Sequence, residues 1–266
     1  MNPYLCVFRM GIEKALEYRT GFVLSMLSAA FPILIQTTMW NYLYANADAA
    51  RIMGYSHEQI LIYTLLATLV SQLVSAGFEW EVNSDIKNGG LNKYLVRPLA
   101  YRNYCLSSVM GQKVPRLFVV GPVMAFMIVF GILVLKLPLS AARVVVFLCS
   151  LFLAFVLNFF LFYCVALLGF WLTDVDKLFG TVSIVLTVLS GGVFPMDIFG
   201  SALAGIFRLL PFGYTTQFCV NIINGRYGGE QIGWGLLCQT GWIVALAGLE
   251  RILWRQGLRR YVAVGG

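Results

Sequence analysis

The chain has 266 residues, of which 59% are hydrophobic and only 12% are charged, and its formal net charge is +7. Soluble domains carry about 25% charged residues, so a soluble fold of this size could not bury so much apolar surface. The continuous apolar runs also exclude a β-barrel, whose strands alternate between apolar and polar residues. The positive charge does not indicate nucleic-acid binding, because Lys and Arg collect in the cytoplasmic loops of membrane proteins. The composition therefore predicts an all-α integral membrane protein within a lipid bilayer.

In chain order, an amphipathic helix comes first. Residues 1–19 place apolar side chains on one face and charged ones on the other, a pattern typical of a helix in the headgroup region. The next apolar run is longer than the core of a signal peptide, so we expect it to be retained as the first span. Several runs reach the roughly 18–20 residues that cross a bilayer core. We predict six spans, which cover residues 20–44, 59–80, 117–135, 144–172, 178–189 and 232–253.

Six spans place both termini on one side of the membrane, and the basic residues indicate which side. Of the 19 Lys and Arg residues, 14 fall in segments that share a side with the N-terminus. The other five lie in predicted outer segments, namely Arg51, Lys136, Arg143, Arg208 and Arg226. Because basic residues are enriched in cytoplasmic segments, both termini are expected in the cytoplasm.

A polar segment follows the second span and reads EWEVNSDIKNGGLNKYLVRPLAYR over residues 79–102. Its sequence predicts a short helix, a break at Gly89 and Gly90, and a second amphipathic turn. Arg97 precedes Pro98 and is pushed out of helical geometry, which sets the exit from the segment; residues 104–116 are expected to remain at the membrane interface. The second turn carries apolar residues at helical spacing, namely Leu91, Tyr94, Leu95 and Leu99. We interpret this segment as a cytoplasmic docking element.

A second interrupted segment precedes the last span. Residues 190–213 are apolar but contain five glycines and two prolines, Pro195 and Pro211. Proline stops helices, and irregular backbone at membrane depth is tolerated where it is buried in protein or lines a cavity. The pattern predicts a short re-entrant hairpin on the outer side, before the sixth span.

The sequence offers little that could form a catalytic centre. His57 is the only histidine and the six cysteines contain no CxxC pair, which disfavours both a zinc site and a Ser-His-Asp arrangement. No Gly-Lys dipeptide occurs, so a phosphate-binding loop of the GxxxxGK[ST] type is excluded. We therefore predict that the chain is not itself an enzyme and binds no metal or cofactor.

Neutral amides are the strongly polar groups within the predicted spans, at Gln36, Gln72, Asn158 and Gln239. They allow two interpretations, hydrogen bonding between helices and the lining of a translocation path. The lack of a charged residue at this depth argues against coupling to protons or sodium, which needs a titratable or ion-coordinating site near the midplane.

Two motifs resemble a known family. The segment IKNGGLNKYLVRPL, Ile86–Leu99, resembles the I-x-x-G-x-L-x-x-x-L-x-R-P signature of one bacterial branch of ABC-2-type permeases. That branch includes multidrug and viologen exporters. The segment LSGGVFPMDIF…LLPFGYTTQ, Leu189–Gln217, resembles the S-G-x-x-x-P…L-P-[FL]-x-Y pattern of these permeases near the outer mouth. The similarity extends over essentially the whole chain.

The resemblance implies a single transmembrane domain over residues 1–266, located in the bacterial plasma membrane, with residues 83–103 as its coupling segment. Two permeases, identical or paralogous, would pair and bind two cytosolic ATPase subunits, which hold the ATP and Mg²⁺. The outer gate would be shaped by Pro195, Pro211 and Tyr214. Apolar residues would make the docking contact with the ATPase, namely Ile86, Leu91, Tyr94 and Leu95. Basic residues would orient these apolar residues, namely Lys87, Lys93 and Arg97.

Functions of other classes remain open at this point. An ATP-independent channel, or an assembly scaffold whose polar segment binds another partner, is compatible with the composition but leaves the two motifs unexplained. A membrane-embedded enzyme lacks a credible pair of acid and base residues in the spans.

Overall fold

A computed structural model describes residues 3–17, 19–46, 52, 54–75, 77–135, 140–172, 175–200, 205, 207 and 209–261. These residues are almost entirely helical, and no strand occurs among them beyond an isolated bridge between Ile52 and Tyr55. The α-helices are α1 (Pro3–Glu17), α2 (Arg19–Ala45), α3 (His57–Val74), α4 (Glu79–Lys87), α5 (Asn92–Leu95), α6 (Tyr101–Leu135), α7 (Ala141–Leu167), α8 (Val175–Leu189), α9 (Gln217–Ile223) and α10 (Gly229–Leu258). The all-helical class is confirmed.

Four stretches of the described chain are long and apolar enough to cross a membrane, His57–Lys87, Tyr101–Phe130, Ala141–Phe170 and Gly229–Leu258. They contain the predicted spans two and six and overlap most of the predicted spans three and four. Helix α2 coincides with predicted span one and has 27 residues. Helix α8 covers span five but has only 15 residues, about 22 Å at 1.5 Å per residue, which is short of a ~30 Å core. The six-span count therefore stays a prediction.

Two boundaries differ from the predicted ones. Helix α3 ends at Val74, before the predicted end of span two, because Ser75 leaves helical geometry with a ψ of 142°. Gly77 follows with a φ of 90°, a conformation that side-chain-bearing residues seldom adopt. Helix α6 begins at Tyr101, ahead of the predicted start of span three, so residues 104–116, expected at the interface, are continuous with that span in one helix of 35 residues. The prolines inside α6, Pro115 and Pro122, do not end it.

Helix α7 is the central helix, with contacts to α3, α4, α8, α9 and α10. Its apolar composition matches this position, since a helix that is hydrophobic all round is typically buried. Phe159 and Tyr163 of α7 are fully buried and stack on each other with ring centroids 5.5 Å apart. This aromatic interior is the surface against which α4 packs.

Helix α1 lies against the first part of α6, and the two backbones touch. A Cβ atom added to Gly111 would run into the backbone oxygen of Phe8, and one added to Gly11 would run into that of Ser108. Small residues allow such close approach between helices in membranes. The predicted amphipathic helix is therefore docked on its own chain, through a glycine pair that the charge pattern did not single out.

One end of the molecule gathers α1, the polar segment and the last turns of α10. The Arg102 guanidinium lies 3.3 Å from the buried Glu250 carboxylate, and the Tyr101 ring stacks on Trp254 at 5.7 Å. The N–H of Ala100 donates to the Tyr4 hydroxyl at 3.2 Å. These contacts bring the N-terminal helix, the polar segment and the end of α10 together at one end of the molecule, and the side of the membrane that this end faces stays a prediction.

We predict that Gly111→Leu lowers the free energy of unfolding by about 1–3 kcal/mol, because the new side chain would force α1 away from α6. Thermal unfolding of the purified protein in detergent measures this loss. The matched control is Gly121→Leu on the same helix, where an added Cβ meets only the side chain of Leu117, at 3.7 Å. An equal loss in both variants would contradict a special role for the crossing.

Candidate partner-docking site

Helix α4 is fixed to the interior by one face. Phe78, Val82 and Ile86 are spaced four residues apart, so they share that face, and all three are buried. The Phe78 ring stacks on Phe159 of α7 with centroids 4.7 Å apart. On the other flank, Trp80 meets the edge of Phe179 of α8 at 5.1 Å. The first half of the polar segment is thus packed onto α7 and α8.

The second half turns back onto α6. Gly89, with a φ of 75°, allows the turn, and the N–H of Leu91 closes it by donating to the Asp85 carbonyl at 2.9 Å. Leu91 is fully buried, and the Tyr94 ring lies 4.8 Å from that of Tyr101. Burial raises the pKa of the Tyr94 hydroxyl above its ordinary value. We call residues 78–98 the docking module.

The Asp85 carboxylate joins the parts of this module to α6. It accepts a hydrogen bond from the Tyr101 hydroxyl at 2.8 Å and lies 3.4 Å from the Lys93 ammonium. Lys93 also lies over the Tyr94 ring, 4.8 Å from its centroid. Gly90 leaves room for this carboxylate, since a Cβ there would run into Asp85. One carboxylate therefore connects α4, α5 and α6.

The side chains of the module divide into an interior set and an exposed set. Ile86, Leu91 and Tyr94, predicted to dock a partner, are buried within the chain and form the base of the module. Leu95 and Val96 are 44% and 83% exposed. The exposed tip, as we call it, consists of exposed residues around them, namely Lys93, Leu95, Val96, Arg97 and Pro98. The predicted residue Lys87 is half-buried beside the turn.

A cavity of about 430 Å³ separates parts of the module from α6. Its wall carries polar and aromatic side chains, Trp80, Glu81, Asp85, Tyr94, Tyr101 and Tyr104. Beside this cavity, the hydrogen bond from Tyr101 to Asp85 and the ring contacts of Tyr94 with Tyr101 and Tyr104 join the module to α6. On the side of α7 and α8 the module is held by continuous apolar packing.

The break between α3 and α4 is held by donors from two other helices. The Asn158 amide of α7 donates to the Val74 carbonyl at 2.9 Å. The ammonium of Lys113 and the guanidinium of Arg116, both on α6, donate to the Gln72 carbonyl at 3.2 Å each. The last carbonyls of a helix have no partner within it, and cations are favoured at this end of the helix dipole. We call this arrangement the α3 cap.

Two of the four intramembrane amides connect helices. Asn158 belongs to the α3 cap, and Gln239, which is fully buried, donates from Nε2 to the carbonyls of Ser150 and Tyr214 at 3.0 Å each. Gln72 contributes its backbone carbonyl to the cap, and its side chain is half-buried. Gln36 is buried, and its Oε1 has no hydrogen-bond partner among the described residues. A place in a translocation path stays a prediction for these amides.

The outer segment is described for residues 190–200, 205, 207 and 209–213, and the rest of the predicted hairpin lies outside the described residues. The two prolines predicted for the gate, Pro195 and Pro211, are buried, and Tyr214 is half-buried. The Tyr63 hydroxyl of α3 donates to the Gly191 carbonyl at 2.6 Å. The start of the segment is therefore bonded to the same helix whose other end carries the α3 cap.

Further contacts at this end surround Asp197. Its carboxylate accepts from the Tyr55 hydroxyl at 3.2 Å and lies 3.8 Å from the Arg226 guanidinium, which stacks over the Tyr55 ring at 3.8 Å. Burial raises the pKa of Tyr55, so its hydroxyl remains a donor. Beside this cluster lies a cavity of about 390 Å³ whose lining includes six aromatic residues, Phe207, Tyr214, Phe218, Tyr227, Trp234 and Trp242.

Comparison with protein families decides what this architecture belongs to. The family described as ABC-2 family transporter protein matches residues 30–265, most of the chain. The chain belongs to this family. Comparison with curated proteins gives no match. The resemblance inferred from the two motifs is confirmed, and the chain is a multi-pass membrane permease component of an ABC transporter. The family also implies partnership with ABC ATPase subunits, and a transport role rather than a catalytic one.

Several residues that organise the site were not found from the sequence. The sequence pattern assigns no contact to Asp85, Tyr101, Lys113 or Arg116. Their partners lie 16 or more residues away along the chain, beyond the reach of local periodicity. The i, i+3 spacing of Lys113 and Arg116 was a usable signal, since it places two cations on one face of a helix.

We predict that Asn158→Leu destabilises the protein by about 1–2 kcal/mol, because the Val74 carbonyl would be left without its donor. The shift of the thermal unfolding midpoint in detergent measures this. Gln72→Leu is the matched control, since it also replaces an amide by an apolar side chain but keeps the backbone carbonyl used in the cap. Equal shifts for both variants would contradict the assignment of Asn158 to the cap.

Proposed function

We propose that this chain is the permease subunit of an ATP-driven exporter, which pairs with a second permease and binds its cytosolic ATPases at the exposed tip. The observation that carries the proposal is the docking module itself. Its base is buried in the permease, while two apolar side chains, Leu95 and Val96, remain exposed between the basic residues Lys93 and Arg97. An apolar centre with a charged rim is the usual composition of a protein interface.

The burial of Ile86, Leu91 and Tyr94 revises how docking would work. These residues would hold the module rigid rather than enter the ATPase, and Leu95 and Val96 would supply the apolar contact. Lys93 would then have two roles, since its ammonium pairs with Asp85 inside the module while its exposed side chain remains accessible to the ATPase. A rigid base is needed if a displacement of the tip is to reach the spans.

Transmission would follow the contacts of the module. A displacement of α4 by the ATPases would act on α7 and α8 through Phe78 and Trp80, and on α3 through the break held by the α3 cap. The other end of α3 is bonded through Tyr63 to Gly191 of the outer segment. Pro195, Pro211 and Tyr214 would then shape an outer gate, and a second permease would complete the path.

The direction and location of transport form a further part of the proposal. We infer export across the bacterial plasma membrane, with both termini in the cytoplasm. The distribution of basic residues and the gathering of α1, the module and the end of α10 at one end support this orientation. The aromatic outer cavity, in which Asp197 is a charged wall residue, suits amphiphilic cargo of the kind handled by multidrug exporters.

We predict that Leu95→Asp combined with Val96→Asp reduces the ATPase that co-purifies with the permease at least tenfold, because two charges would replace the apolar centre of the contact. The wild-type protein is first purified from its native membrane in mild detergent to identify a stoichiometric soluble ATPase. The variants are then compared at equal permease yield. Leu91→Asp is unsuitable for this test, because it would place a charge in the buried base of the module.

Asn88→Asp is the control, since it adds a carboxylate at an exposed position of the same module outside the tip, at the end of α4, and it should retain the ATPase. Wild-type recovery with the tip variant would place docking elsewhere. If the wild-type chain itself retained no ATPase in any detergent or nanodisc, the result would favour an ATP-independent channel or an assembly scaffold over the permease subunit.

We predict that a fluorescent protein fused after the last residue is fluorescent, and that alkaline phosphatase fused there is inactive. This follows if α10 ends in the cytoplasm beside the module. The reciprocal result, active phosphatase without fluorescence, would reverse the proposed orientation. A phosphatase fusion in the loop after α2 serves as the positive control, because this loop is on the opposite side in the proposed topology.

A further inference from the structure

Two cations of α6 converge on neutral oxygens at the break between α3 and α4. Lys113 and Arg116 lie three residues apart, so they share a face of the helix. Their nitrogens contact the same pair of acceptors, the Gln72 carbonyl and the Ser75 hydroxyl, at distances of 3.1–3.3 Å. Two positive charges held this close repel each other, and the oxygens between them carry no formal charge.

The described surroundings supply little compensation for this pair. Glu79 is the carboxylate that attracts Lys113, and its Oε2 already accepts from the N–H of Gly77 at 2.9 Å. One carboxylate can balance at most one of the two cations. The Arg116 guanidinium bonds through Nη1, while Nε and Nη2 bond to no described residue. Donors and positive charge therefore remain available for an anion.

The position of Lys113 and Arg116 along α6 indicates which kind of anion lies close enough to bind them. Arg116 is the last charged residue before the apolar run 117–135, so the pair lies where the helix enters the hydrocarbon, at headgroup level. Directly beyond it, α6 exposes apolar side chains, among them Leu117, Phe118, Val119, Val123 and Phe126. A charged site that is continuous with an exposed apolar face matches a molecule with an anionic head and long hydrocarbon tails.

We propose that Lys113 and Arg116 bind the phosphate of an anionic phospholipid in the leaflet on the side of the docking module, with its acyl chains along the exposed face of α6. Guanidinium and ammonium groups pair well with phosphate oxygens, and basic pockets between transmembrane helices bind lipid headgroups. The lipid neutralises the two cations without displacing their bonds to the α3 cap. This binding does not depend on the transport function proposed above.

The test counts lipids bound to the purified protein. Delipidated protein in a neutral detergent is titrated with dioleoyl phosphatidylglycerol or with dioleoyl phosphatidylcholine, and bound lipid is counted by native mass spectrometry. We expect the wild-type chain to retain phosphatidylglycerol in preference to phosphatidylcholine. Lys113→Gln with Arg116→Gln should weaken phosphatidylglycerol binding by about tenfold or more, because two cations near the headgroup are lost.

Arg251→Gln with Arg255→Gln is the matched control, because it removes two exposed charges at the same end of the molecule. The proposal is overturned if this control loses as much affinity as the double variant, or if both lipids bind equally. It is also overturned if millimolar inorganic phosphate displaces the lipid, which would indicate a site for free phosphate. Should the double variant not purify as a single species, Arg116→Gln alone is measured, with a loss of several-fold expected.

Discussion

The break between α3 and α4 depends on hydrogen bonds that α3 cannot make for itself. A helix that ends near the hydrocarbon leaves carbonyls without partners, and an unsatisfied backbone group there costs several kcal/mol. Asn158 of α7 and the cations Lys113 and Arg116 of α6 supply the missing donors. Because the donors come from two helices, the place where the chain leaves the membrane is defined relative to both. The position of the docking module follows from this constraint.

Helix α6 takes part in most of the contacts at this end. It carries the cap cations, the Tyr101 hydroxyl that binds Asp85, and the Arg102 guanidinium that pairs with Glu250 of α10. Its Gly111 receives the backbone of α1. The part of α6 that contacts the module is therefore the part expected at the membrane interface from the sequence. As one uninterrupted helix, it connects these contacts directly to a membrane span.

The sequence predicted where most helices lie, but it did not predict which face of a helix is buried within the chain. Apolar runs predicted the positions of α2, α3, α7, α8 and α10, and the glycine pair predicted the turn of the module. The apolar stripe of Leu91, Tyr94 and Leu95 could not reveal its partner, because an amphipathic turn has the same pattern whether it packs on its own chain or on another. Only the fold separates buried Leu91 from exposed Leu95. The same ambiguity applied to Asn158, because the sequence cannot tell whether a buried amide bonds to a neighbouring helix or lines a translocation path.

The two flanks of the module are held by different kinds of interaction, and this difference bears on coupling. Toward α7 and α8 the contact is close aromatic and aliphatic packing, which resists displacement because interiors are densely filled. Toward α6 it is a carboxylate bonded to Tyr101 beside a cavity of about 430 Å³. A force on the exposed tip is therefore expected to move α4 together with α7 and α8 and to stretch the Asp85 contact first. In the proposed coupling, the buried base rather than the exposed side chains would decide which spans follow the ATPase.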